Sequence, residues 1–288
     1  MKNSLLGFLV HGGAGSCSAA QIKRMKYALR KILAESSSLD EHALSLERSP
    51  LFNCGVGSNR TVANSVENEC CLMDSAGAFA SVCMIPENIS PYKALSKYVQ
   101  VERDPGLVKP ISVVYSQGLC SERIREDENK ITEHEAGDTV GIAEIKSSTI
   151  TAVSSSGGPK KKYPGRIGPC SVYGANTFVS RDACVLISGT GESLMRSHLA
   201  QRIHRKIESM HFEEVRAEIE EFMKEEKSFP YIGGVGVCRK TANTLFIVHF
   251  QSAASFVYGY NFGGLLKVIS HIQPEGCVTV NVERVDVE

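Results

Sequence analysis

The sequence predicts a mixed α/β (α+β) chain in which helices cover both faces of stacked β-sheets. Strand-like hairpins lie on either side of Thr139, and two clusters of helical periodicity, one before it and one after it, accompany them. Size agrees: 288 residues, 42% hydrophobic and 22% charged, suffice for one large core or two ordinary ones. No internal repeat, C-x-x-C, H-E-x-x-H or heptad pattern competes with that reading.

Residues 5–10 read as a short apolar strand, and His11-Gly12-Gly13-Ala14-Gly15 as a turn into the helical pattern of 21–33. A glycine loop between strand and helix resembles a phosphate cradle. The spacing is not G-x-G-x-x-G, however, and no acidic residue follows a second strand, so close backbone approach to an active site is favoured. Residues 36–47 are polar with weak helical spacing, and 49–59, with Pro50, Gly55 and Gly57, form a structured loop. Asn53 in that loop is a candidate polar contact or a turn residue satisfying its own backbone. Residues 69–73 and 78–84 are two strands joined by Asp74-Ser75-Ala76-Gly77, which is hairpin chemistry. A helix over 91–101 and a short strand over 111–115 follow.

Residues 121–138 are rich in charge and poor in apolar side chains, the composition of a flexible, cleavable tether or of a solvated charged helix. After it, strands 139–145 and 149–154 form a hairpin through Lys146-Ser147-Ser148 that returns Ser154-Ser155-Ser156 beside Thr139. Pro159-Lys160-Lys161-Lys162 reads as a solvated loop in preference to a nuclear-import patch. Arg166, between Gly165 and Gly168, can clamp a carboxylate bidentately or form a surface salt bridge. Residues 183–188 read as a strand ending in Gly189-Thr190-Gly191-Glu192, which opens a helix over 192–210 whose first N–H groups can stabilise an oxyanion. An amphipathic helix over 212–227, with Val215, Ile219, Phe222 and Met223 on one face, precedes strands at 233–239, 244–250 and 255–260.

Chemistry concentrates at Gly137-Asp138-Thr139-Val140-Gly141. Cutting the Asp138–Thr139 bond would give one residue both a hydroxyl nucleophile and an α-amine of reference pKa about 7.7–8.0, a base near neutral pH. The alternative is an ordinary loop-to-strand junction. Lys plus Arg equals Asp plus Glu, so no net field draws the chain to nucleic acid or to an anionic membrane. Ten cysteines without a leader sequence fit reduced thiols, hence a cytoplasmic or nuclear protein, and no apolar run approaches about 18 residues.

His11-Gly12-Gly13-Ala14-Gly15, the loop over 46–58, Gly137 to Gly141, Ser156-Gly157-Gly158, Pro164-Gly165-Arg166-Ile167-Gly168 and Ser188-Gly189-Thr190-Gly191-Glu192 occur in the order seen in type-2 asparaginases. The chain resembles that family of N-terminal-nucleophile hydrolases over nearly its whole length. Within it the chain looks most like the threonine aspartase (taspase) branch, with Asp138 before the nucleophile, serines at 156 and 188, Pro169 where asparaginases keep an aspartate for the substrate amine, and the 252–260 run. The tether is shorter than in that branch, Pro169 is unusual even there, and Glu69-Cys70 replaces a common aspartate–alanine pair.

The resemblance implies a four-layer αββα sandwich over residues 1–288, cut by its own threonine into 1–138 and 139–288. It implies Thr139 as nucleophile and base, Ser156 tuning it, Asn53 polarising the attacked carbonyl, and Arg166, Ser188 and Gly189 binding substrate. Leu46, Glu47, Ser49, Phe52, Cys54 and Val56 match a loop whose backbone carbonyls hold a structural sodium ion in some members; no cofactor is expected to be required. The expected activity is an endopeptidase cleaving protein substrates after aspartate, working as a homodimer of processed pairs. The alternatives are an asparaginase or isoaspartyl peptidase on small β-aspartyl compounds, and an unprocessed, inactive interaction protein.

Overall fold

The computed structural model describes residues 4–102, 108–121, 138–209, 211–225 and 231–287. The expected tether lies outside these residues except for its ends, Ser121 and Asp138. Strands β1 (Leu5–Gly15), β2 (Glu67–Asp74), β3 (Phe79–Pro86), β4 (Ser112–Val114), β5 (Val140–Lys146) and β6 (Ile150–Ser156) precede β7 (Thr177–Val179), β8 (Ala183–Gly189), β9 (Ile232–Arg239) and β10 (Thr244–Gln251). The last three are β11 (Ser255–Phe262), β12 (Leu265–Ile272) and β13 (Thr279–Asp286). They make an eight-stranded sheet, β12-β11-β1-β5-β6-β2-β3-β4, and a five-stranded sheet, β13-β10-β9-β8-β7.

Helices α1 (Ala19–Glu35), α2 (Leu39–Arg48) and α3 (Pro91–Gln100) pack one core cluster with the larger sheet, through residues such as Met25, Leu29, Leu46, Leu95, Val10, Ile142 and Val153. A second cluster joins inward residues of both sheets, among them Leu9, Ala143, Ala152, Leu186, Val235 and Phe256. A third packs α4 (Gly191–Ser197), α5 (Leu199–Ser209) and α6 (Phe212–Glu225) on the smaller sheet through Leu194, Ile203, Ile219, Val185 and Val248. The result is a mixed α+β sandwich. Local signals place its helices: Ser18 and Gln21 close a capping box on α1, whose buried Ile22, Met25, Leu29, Ile32 and Leu33 recur at helical spacing. Ser90 caps α3 and Pro91 occupies its first turn.

Three sequence expectations need correction. The glycine run at 11–15 is the second half of β1, paired with β11 as far as Gly15 and bulged between His11 and Gly13. The helix expected over 192–210 is broken, because His198 adopts the left-handed conformation (φ 48°) between α4 and α5 and bonds the Tyr173 carbonyl through Nδ1 at 2.9 Å. β7, β12 and β13 carry no clear sequence signal: β7 has three residues, and β12 and β13 are half-exposed edges with weak contrast between faces. All ten cysteines are free thiols, eight of them buried. Among the described residues no helix is long and apolar enough to cross a membrane.

Candidate active site

The β5–β6 hairpin pairs Val140 with Ser155, which leaves Thr139 across from Ser156 at the open end. Both side chains are buried, and the Thr139 hydroxyl donates to Ser156 Oγ at 2.9 Å. Ser156 Oγ also accepts from Gly158 N at 3.0 Å, so it is fixed from two directions. Thr139, Ser156, Gly158, Arg166 and Gly189 line one cavity of about 490 Å³, together with Asp138, Pro169, Thr190, Gly191, Glu192 and Tyr231. Four glycine-containing segments, distant in sequence, therefore converge on Thr139.

Asp138 lies folded back on the bond that follows it, since Thr139 N donates to its Oδ1 at 2.8 Å. Burial pushes its carboxyl up to about 6, while the bond from Thr139 N and the charge of Arg166 favour the ionised form. Gly13 makes room for it: φ is +101°, and a Cβ there would stand 2.8 Å from the Asp138 carbonyl carbon and Cβ. Gly189, at φ +147°, likewise lets the Tyr231 carbonyl approach, which then accepts from Thr190 N at 3.0 Å.

Arg166 is not the free clamp that its flanking glycines suggest. Its Nε and Nη2 both bond Glu192 Oε1 at 2.9 Å. Behind it stands Glu69, buried on β2, whose charge faces Arg166. Gly158, Gly168 and Gly191 crowd the guanidinium, a Cβ at Gly191 falling 2.4 Å from Nη2.

Asn53 is a neighbour of the cavity and not a wall of it. Its Nδ2 donates to the Gly158 carbonyl at 2.8 Å and its Oδ1 accepts from Asn59 N at 2.9 Å, so its amide shapes the turn after Ser156. Asn59 lines the cavity instead. In the candidate sodium loop, the carbonyls of Leu46, Phe52 and Cys54 accept from Ser49, Cys54 and Gly57 N–H groups, each keeping a second lone pair. A Cβ at Gly55 would lie 2.4 Å from Glu47 O, and one at Gly57 2.1 Å from Phe52 O, so only glycines admit these oxygens. Such a set of backbone oxygens fits a hard cation. The Glu47 side chain is committed elsewhere, accepting from Tyr92 N at 2.7 Å and from Ser90 Oγ, and burial pushes its carboxyl up to about 7.

Sequence reasoning missed Tyr231, Cys17, Gln21, Pro159 and Lys160 as cavity residues. None sits in a pattern that marks chemistry; only the fold brings them together.

A buried threonine hydroxyl held by a serine, at the wall of a cavity with an arginine, is an arrangement that suits attack by a hydroxyl on a carbonyl. Residues 111–258, just over half of the chain, match the Asparaginase_2 family, described as asparaginase. The chain belongs to that family, whose members are N-terminal-nucleophile amidohydrolases. It is 29% identical over 245 residues to an isoaspartyl peptidase of Salmonella typhimurium, covering 67% of this chain and 76% of the relative. A probable isoaspartyl peptidase/L-asparaginase of Drosophila melanogaster is 28% identical over 250 residues (68% and 75%), and a plant-type L-asparaginase of Pyrobaculum calidifontis 25% over 293 residues (88% and 93%). These relatives bear out the family and carry the names of the alternative activity, not of the taspase branch.

Proposed function

We propose that this chain is a self-processing threonine amidohydrolase acting on aspartyl compounds, and that the observation carrying the reading is the 2.9 Å bond from Thr139 to Ser156 at the wall of a cavity that also holds the Asp138–Thr139 bond. Processing follows from the local chemistry. The Thr139 hydroxyl adds to the Asp138 carbonyl as its proton passes to the Asp138 carboxylate; the C–N bond breaks, the nitrogen takes the proton, and an ester forms. Water cleaves the ester, restoring the hydroxyl and leaving Thr139 with a free amine. On substrate the amine takes the hydroxyl proton, the acyl group moves to Oγ, the leaving amine is protonated, and water releases the acid. Arg166 binds a substrate carboxylate through the N–H groups that Glu192 leaves available, Gly189 lines the substrate's path, Ser188 lies buried directly behind it and outside the cavity lining, and Asn53 holds the Gly157–Gly158 turn. The layering is αββα, supported by the three core clusters. A sodium ion in the 46–56 loop would act on structure alone.

The relatives' names make small β-aspartyl substrates the first assay. A second reading, the aspartate-specific endopeptidase, is favoured by the lining of the cavity. Pro169 contributes an apolar wall, and Glu192, the lining acid besides Asp138, is already paired to Arg166. A substrate ammonium finds little there to neutralise it, whereas a residue inside a polypeptide carries none. The test is intact mass under denaturing conditions for wild type and Thr139→Ala, followed by hydrolysis of a β-aspartyl dipeptide, asparagine and a peptide with an internal aspartate. Two fragments meeting at 138/139 in wild type only, with turnover of the first two substrates, support the asparaginase-type reading. Turnover of the peptide alone supports the second, and a chain that stays whole and inert sinks both.

A further inference from the structure

The side of Arg166 away from the cavity carries a second carboxylate that no role yet explains. Glu69 lies on β2 directly opposite Ser156 of β6, the residue that holds the nucleophile. It is 3% exposed. Its Oε2 accepts from Gly168 N at 2.8 Å and from Ser171 Oγ at 3.1 Å, and so ties down both ends of the turn that contains Pro169, a wall of the cavity. Its Oε1 is buried with no hydrogen-bond partner among the described residues. That oxygen and Arg166 Nη1 both occupy the space beside Gly168 that a side chain would fill: a Cβ there would stand 2.0 Å from the first and 2.7 Å from the second. A buried carboxylate is costly unless charge and hydrogen bonds compensate it. Here the compensation comes from Gly168, Ser171 and the nearby charges of Arg166 and Lys162, while burial holds the carboxyl above its ordinary range.

We infer that Glu69 is a positioning residue for substrate recognition: from β2 it fixes the Arg166-to-Ser171 turn, so that the guanidinium meets a substrate carboxylate in register with the Thr139–Ser156 pair. Glu192 holds the solvent side of the same guanidinium, with 53% of its own side chain exposed, and yields more readily to a ligand. Glu69 is the fixed side of the clamp. Its attachment to the strand beside Ser156 links the carboxylate-binding group and the nucleophile through one rung of the sheet.

The inference rests on the proposed role of Arg166, and the experiment separates the two. Wild type, Glu69→Ala, Glu69→Gln and Ser171→Ala are titrated calorimetrically with L-aspartate, whose carboxylates are the groups Arg166 would hold, and with its diamide, which keeps the α-amine but has no carboxylate. Glu69→Ala is expected to lose about tenfold or more in aspartate affinity with the diamide unaffected, because a hydrogen-bonded charged anchor is removed. Glu69→Gln, which keeps an oxygen for Gly168 N, is expected to stay within about threefold of wild type, and Ser171→Ala to fall between. In turnover the loss should appear in KM with kcat little changed. Equal losses for aspartate and diamide would mark a merely structural residue and overturn the inference; so would no change in either, or a wild type that binds no aspartate. If Glu69→Ala does not fold, the Ser171→Ala ratio decides in the same way. Aspartate binding without hydrolysis of any substrate would remove the proposed activity and leave the Glu69 comparison standing.

Discussion

The two ends of the β5–β6 hairpin are built on opposite principles. At the closed tip, Lys146 N bonds Thr149 O at 2.8 Å, and Ser147 N bonds Ser4 O at 2.8 Å. Arg239, 8% exposed, reaches across from the smaller sheet to the Lys146 carbonyl while holding Asp182 through Nε at 3.1 Å and Nη2 at 2.8 Å. The open end is held within the larger sheet and its loops, by Gly158 N on Ser156 Oγ and Asn53 on the Gly158 carbonyl. Thr139 and Ser156 hold each other, glycines crowd around them, and His11, opposite Gly141, is buried with both ring nitrogens unpartnered. An unsatisfied buried polar group costs about 1–3 kcal/mol. The tip secures the register, and the open end uses that security to keep reactive groups close together.

That contrast can be broken at either end. The largest effect is expected from Thr139→Ala, which should abolish fragment formation and lower turnover at least about a thousandfold. Between uncut forms, denaturant midpoints should register only the lost hydrogen bond, about 1 kcal/mol. Gly13→Ala comes next: a methyl group against Asp138 at a positive φ should slow processing at least about tenfold and cost about 1–3 kcal/mol, read by intact mass over time and by chemical unfolding. The sign of the pH response follows from Asp138. Its carboxyl, raised to about 6, accepts a proton only when ionised, so processing should be half-maximal near pH 6, full well above it and fall about tenfold per unit well below it, as mass spectrometry of timed samples would record. The smallest effect on rate belongs to the tip. Arg239→Ala should cost about 2–3 kcal/mol of stability and leave turnover of processed protein within about twofold, and a larger rate loss would show that the two ends are not separable.

Stability should also respond to pH through Glu47. Its folded value, about 7, lies above the ordinary carboxyl range, so the folded chain keeps a proton that the unfolded chain releases. Stability is then greatest below about pH 4.3 as far as this group is concerned, and declines as pH rises from there to about 7. Glu47→Gln should flatten that slope in denaturant titrations across the window.

Much of this was legible in the sequence where local chemistry decides the outcome. The hairpin at Asp74–Gly77, the return of Ser156 to Thr139 and the apolar face of α6 all follow from turn residues and period. The glycines of 11–15 misled because glycine marks turns and close approach alike, and here the pairing of β1 with β11 and β5 overrides the turn preference. Asn53 and Arg166 were recognised as polar residues of consequence, but sequence could not reveal that Gly158, Asn59 and Glu192 already engage them. Tyr231 has no local signal, and Glu69 stands out only as a departure from the family's aspartate, with nothing to say what it touches. Their significance arises from partners far along the chain, Ser156 and Gly168 for Glu69 and Thr190 for Tyr231, and no short window of sequence contains them.

The strand order carries a last consequence for a processed molecule. β1 lies between β11 and β5, and β6 lies beside β2, so three ladders of the large sheet join residues before the Asp138–Thr139 bond to residues after it. Two fragments made by that cut would be interleaved, each supplying central strands that the other needs. Their separation would be global unfolding under another name. Dilution would not part them, and halves mixed from two isotopically distinct preparations would not exchange while the sheet stays folded.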